Sequence, residues 1–190
     1  YPPLNPDFEG PPKELPPLVV HSHGGPTSAT DSVLNLETQF WTSRGWAVVD
    51  VNYGGSTGYG TEYRRRLNGN WGIVDVDDCV NAARHLVAEG LADPRRVAIA
   101  GGSAGGYTTL CALTMRDFFR AGANYFGLSD LVPFAQETPK FQSRYLDPLV
   151  GPWPAAPDLH VRQAPPPRAA PPDSPVPLVT GADAQHRPPT

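Results

Sequence analysis

The sequence predicts an α/β fold in which a mostly parallel sheet carries helices on both faces. Three observations lead there. Short β-rich runs recur at LVVHS (18 to 22), WAVVDVN (46 to 52), RVAIA (96 to 100) and ANYFG (123 to 127), and longer helical stretches separate them, which is the alternation that builds a parallel sheet. The clearest helix runs from about 75 to 89. There Val76, Cys79, Val80, Ala83 and Val87 recur at helical spacing, acids fill the first turn, and Gly90 supplies the stop. The third observation is VAIAGGSAGG (97 to 106), a strand-forming run that ends in one serine between pairs of small residues. Glycine serves where a chain must turn through angles closed to other residues or where another group comes very near.

Each end of the chain reads differently from the middle. Of 24 prolines, most fall before residue 27 or after residue 147, where they remove backbone donors that helices and central strands need. The expected division is a proline-rich extended lead-in at 1–14, a folded domain at 15–160, and a proline-rich, diverged or truncated part at 161–190. One further short strand is expected there, PLVT at 177 to 180.

Composition narrows the function. With 39% hydrophobic residues, 18% charged and a net charge of -4, the chain can bury an ordinary core. Its only basic cluster, Arg64-Arg65-Arg66, reads as a solvated helix face, so neither nucleic acid nor an anionic membrane is an expected partner. Cys79 and Cys111 fall inside apolar helical patterns and read as small buried hydrophobes. No run is long enough to span a bilayer and no signal-peptide profile opens the chain, which favours a cytoplasmic location. No phosphate-cradling motif follows a strand, and neither a cofactor nor a metal is expected.

Gly101-Gly102-Ser103-Ala104-Gly105 fits G-x-S-x-G between a strand and a helix-compatible run, YTTLCALTM. In that setting the serine sits on a sharp turn that holds its hydroxyl clear of the sheet. The helix that follows points its N-terminus at the reaction centre, and the Ala104 N–H is a candidate oxyanion donor. A second glycine cluster, His23-Gly24-Gly25-Pro26, follows the earliest strand, where hydrolases of this design place their other donor. Taken alone, His21 and His23 read as hydrogen-bonded structural histidines.

The order HGGP (23 to 26), NYGGSTGYG (52 to 60), NWGIVDVDD (70 to 78) and GGSAGGYTT (101 to 109) resembles the catalytic domain of the prolyl oligopeptidase family of serine peptidases, in particular its bacterial dipeptidyl aminopeptidase and acylaminoacyl peptidase members. FGLSDL (126 to 131) and KFQSRYLDPLVGP (140 to 152) extend the likeness across about 15–160. The resemblance implies an α/β-hydrolase fold whose C-terminal part is incomplete here, with a β-propeller upstream in a full-length parent. It further implies that Ser103 is the nucleophile, that Gly25 and Ala104 supply the oxyanion donors, and that Asn52, Tyr53 and the 55 to 60 loop border the cleft that receives a peptide substrate.

Two positions depart from that pattern. The family's acid stands three residues after the glycine that closes the late strand, and here Ala184 occupies the place while Asp183 comes one residue early. Asp183 is thus either a shifted acid or a solvated turn aspartate. His186 follows too closely to reach the loop reserved for the base. Three functions stay open at this point: a serine peptidase acting on short or N-blocked peptides, a carboxylesterase-type hydrolase, and a non-catalytic remnant.

Overall fold

The computed structural model describes residues 1–137, 140, 144–164 and 178–179. The sheet is five-stranded and wholly parallel, in the order β2-β1-β3-β4-β5. Its strands are β1 Leu18–Ser22, β2 Ala47–Val51, β3 Val97–Gly102, β4 Ala121–Tyr125 and β5 Leu178–Val179. β1 keeps the predicted bounds, and β5 falls within the predicted late strand. β4 begins two residues earlier than the apolar run indicates, because Ala98 of β3 pairs with Ala121 and Ile99 with Gly122.

Alternation along β1 divides the core between two faces. Leu18 and Val20 point into the larger cluster with Val76, Val80, Ile99, Cys111 and Ala112, whereas Val19 packs on the other face with Val48, Ala100 and Trp41. The larger cluster is covered by α3, Val74–Ala88, and α4, Ala104–Met115. The opposite face carries α1, Leu36–Thr42, whose N-terminus is capped by the Asn35 side chain. The remaining helices are short: α2 Gly60–Arg65, α5 Leu131–Glu137, α6 Leu146–Leu149 and α7 Pro157–Gln163. Arg64 and Arg65 lie exposed on α2, and Cys79 and Cys111 are free and buried.

The extended lead-in is tied to the sheet edge. Tyr1 exchanges both backbone hydrogen bonds with Val48, at 2.9 Å each, and the Asn5 amide donates to the Ser43 carbonyl. Among the described residues no helix is long and apolar enough to cross a membrane.

Candidate active site

Because the strands are parallel, β1, β2, β3 and β4 all deliver their C-terminal ends to one edge of the sheet, and the site is assembled there. Ser103 follows β3 directly and precedes α4. Its backbone stands at φ 54° and ψ -117°, a conformation that costs a non-glycine residue on the order of 1–3 kcal/mol and persists only where the surroundings impose it. The constraints are visible. The Ser103 N–H donates to the Tyr125 carbonyl at 3.0 Å, and its own carbonyl accepts from Tyr107 at 3.1 Å. Gly105, in the first turn of α4, lies so close to β1 that any Cβ there would collide with the Ser22 carbonyl. The elbow is thereby held between α4 and two strands, and the serine side chain is left exposed.

The loop after β1 leans on this elbow. A Cβ built on Gly24 would lie 3.3 Å from the Gly102 carbonyl and 3.8 Å from the Ser103 Cβ. Gly25 has φ +125°, with the Thr27 nitrogen 2.8 Å from where its Cβ would be, so only glycine fits this turn without strain. Among the described residues the N–H groups of Gly25 and Ala104 have no acceptor. A strained serine at a parallel-sheet edge with a helix N-terminus behind it is a place where negative charge is favoured.

A cleft of about 730 Å³ opens over the serine, lined by His21, Gly24, Asp50, Gly102, Ser103 and Phe126, among others. Phe126 also has positive φ, 45°, and its ring packs against Gly102. Part of the cleft lining is polar. His21 Nδ1 lies 3.3 Å from Asp50 Oδ1 and its Nε2 lies 3.6 Å from Glu37 Oε1. The bond to Asp50 holds the imidazole pKa above its ordinary value. A larger hollow, about 1180 Å³, lies at the other ends of the strands beside Pro16, Gly45 and Arg96, and it contains none of the site residues singled out from sequence.

The other sequence-derived residues fall in several places. Tyr53 is fully buried; its hydroxyl donates to the His23 carbonyl at 3.0 Å and its ring stacks on His23 at 4.2 Å. It therefore sits behind the HGGP loop and forms no part of the cleft wall. The Asn52 side chain accepts from the Thr30 N–H at 2.8 Å and donates to the Tyr59 hydroxyl at 3.0 Å, joining the two loops on that side of the site. Asp183, Ala184 and His186 lie outside the described residues. Among those described, no three His, Cys, Asp or Glu side chains converge as metal ligands do.

Sequence reasoning missed the support beneath the elbow. Asp75, at the start of α3, is fully buried; it accepts from the Gly72 N–H at 2.7 Å and from the Thr108 hydroxyl at 2.5 Å. Burial raises its carboxyl pKa to about 6. The NWGIVDVDD stretch holds the signal, an acid within an apolar periodicity, but helical spacing by itself shows Asp75 only as one of the acids of the first turn.

This architecture is that of an α/β hydrolase. More narrowly, the chain belongs to the prolyl oligopeptidase family, which residues 32–171 match. It is similar over its whole length to a solved Mycobacterium tuberculosis puromycin-hydrolysing peptidase, with 50% identity and a TM-score of 0.94, and covers 29% of that chain. It is 36% identical over 134 residues to dipeptidyl aminopeptidase BIII of Pseudoxanthomonas mexicana, a match covering 70% of this chain and 19% of that protein. To the acylamino-acid-releasing enzyme of Arabidopsis thaliana it is 39% identical over 93 residues, 49% of this chain and 12% of the relative. The chain thus spans less than a third of the length of each of these proteins.

Proposed function

We propose that this chain carries the nucleophile and oxyanion hole of a serine peptidase that cleaves short or N-blocked peptides through an acyl-enzyme on Ser103. The observation that carries the reading is the strained φ of Ser103 at the strand-to-helix elbow, with the Gly24–Gly25 loop packed against it. Attack of the Ser103 hydroxyl on a carbonyl would place negative charge on the carbonyl oxygen. Backbone N–H groups of Gly25 and Ala104 are the donors assigned to that oxygen, and each such donor is worth about 10² to 10³ in turnover. A base must take the hydroxyl proton and an acid must orient that base; Asp183 is the acid candidate, and no base is assigned.

The relatives' names support the substrate class. A puromycin-hydrolysing peptidase, a dipeptidyl aminopeptidase and an acylamino-acid-releasing enzyme are consistent with removal of a small unit from one end of an amide-linked substrate. Their greater length fits the expectation of an upstream β-propeller in a full-length parent, which would select substrates by size.

The test is covalent labelling. A fluorophosphonate probe should modify Ser103, Ser103→Ala should abolish the modification, and aminoacyl-arylamides should be cleaved by a protein carrying the complete site. Labelling at Ser22, Ser56 or Ser129 in place of Ser103 would defeat the assignment. Turnover of activated esters without arylamides would indicate an esterase instead.

A further inference from the structure

Phe126 departs from the pattern of its neighbours. Leu128 and Leu131, two and five residues further on, are buried in the larger core cluster, yet Phe126 is 48% exposed. Its φ of 45° is one that a bulky side chain rarely adopts. Such a conformation persists only where the surroundings impose it, and it clusters at sites that bind or react.

The surroundings here are tight on both sides. The carbonyl of Tyr125, the residue before, accepts from the Ser103 N–H at 3.0 Å. The N–H of Gly127, the residue after, donates at 2.9 Å to Oδ1 of the buried Asn124. Gly127 also lies against α4 so closely that a Cβ on Gly106 would stand 2.5 Å from the Gly127 Cα. Both neighbours of Phe126 are thereby tied to the elbow. Its ring rests on Gly102, the residue before Ser103, where an added Cβ would be 3.3 Å from the Phe126 Cζ.

The ring lines the cleft of about 730 Å³ that contains Ser103, and Val33, itself 67% exposed, lines the same cleft. A phenyl ring has no atom that titrates or forms an ordinary hydrogen bond, so what it offers a substrate is apolar contact and ring packing. We propose that Phe126 is a specificity-determining residue that holds an apolar, best an aromatic, side chain of the substrate beside the carbonyl attacked by Ser103. The inference rests on the reading of Ser103 as nucleophile. It narrows the substrate class to amides that carry such a side chain next to the scissile bond.

Two fluorophosphonates that differ only in bearing a benzyl or a methyl group on phosphorus separate recognition from support of the elbow. The benzyl-to-methyl ratio of rates at Ser103 should fall about tenfold in Phe126→Ala, the size of one lost aromatic contact, while the methyl rate stays within a few-fold of the parent's. Phe126→Leu should keep part of the ratio. An unchanged ratio in Phe126→Ala, or equal losses for both reagents, would overturn the proposal. Label on another serine would instead overturn the reading of Ser103. If the 190-residue chain takes no label, NMR of the Phe126 ring decides: N-acetylphenylalaninamide should shift its signals saturably and N-acetylalaninamide should not. Equal shifts with both amides, or none with either, would refute it.

Discussion

The Thr108 hydroxyl donates to Asp75 Oδ2 at 2.5 Å and also reaches the Ala104 carbonyl at 3.2 Å, so a buried carboxylate on α3 is linked to the first turn of the helix that follows Ser103. A carboxylate without solvent is costly in its charged form, and burial raises this one to about 6 from an ordinary value of 3.8. The native state therefore holds the proton more tightly than the unfolded chain. Stability from this group is greatest below the unfolded value, falls as pH rises from about 4 to about 6, and is level above, for a total of about 3 kcal/mol. Asp75→Asn keeps an acceptor for Gly72 and removes the titration. The difference in urea midpoint between parent and variant should move in the variant's favour across that window; movement in the opposite direction would show that the buried acid is stabilised as an anion.

Gly105 sets how closely α4 approaches β1. A Cβ at this position meets backbone, with the His23 carbonyl at 2.9 Å and the Ser22 carbonyl nearer still, and backbone cannot rotate away as a flexible side chain would. Gly105→Ala should therefore cost at least about 3 kcal/mol, the upper part of the range for overpacking. A thermal midpoint equal to the parent's would mean that α4 can shift outward, and the elbow geometry with it.

Much of this arrangement is legible in the sequence because it depends on local pattern. The run LVVHS yields β1 to the residue, the periodicity from Val76 to Val87 yields α3, and a serine amid glycines after VAIA marks the elbow. What was illegible depends on packing. α4 starts at Ala104, through glycines of poor helix propensity, because the contact with Ser22 admits nothing larger. α1 shows no apolar stripe, with Leu36 and Phe40 exposed, and its best local signal is the Asn35 cap. Tyr53 illustrates the limit of a motif: its position beside the site can be read from NYGGSTGYG, but whether its ring lines the cleft or braces the loop behind it is decided by three-dimensional contacts with His23.

His21 supplies a second pH effect, of the same sign but from attraction to neighbouring acids rather than from burial, and at higher pH. Its pKa is raised first by the hydrogen bond to Asp50 and further by the charges of Glu37 and Asp50. A histidine shifted upward adds stability that is fully present below its unfolded value of about 6.5 and is lost as pH rises through the folded value. Asp50→Asn should remove most of this contribution. The parent's advantage over the variant should be present at pH 6 and shrink toward pH 8. An advantage that grows over that interval would place the proton elsewhere in the cleft.

Gly25 joins the loop geometry to the chemistry. Its φ of +125° lies where other residues are strained, and an added Cβ would stand 2.8 Å from the Thr27 nitrogen and 3.0 Å from the Ser28 Cβ. The residue is exposed, so the loop can yield without disturbing the core. Gly25→Ala should lower thermal stability by about 1–3 kcal/mol, the cost of a strained backbone position, while the peptide rotates and its N–H leaves the oxyanion position. The expected result is a loss of about 10² to 10³ in the rate of Ser103 phosphonylation, the magnitude of one missing donor. Loss of rate together with loss of folding would identify the loop as structural, and an unchanged rate in a folded variant would assign the donor to another backbone amide.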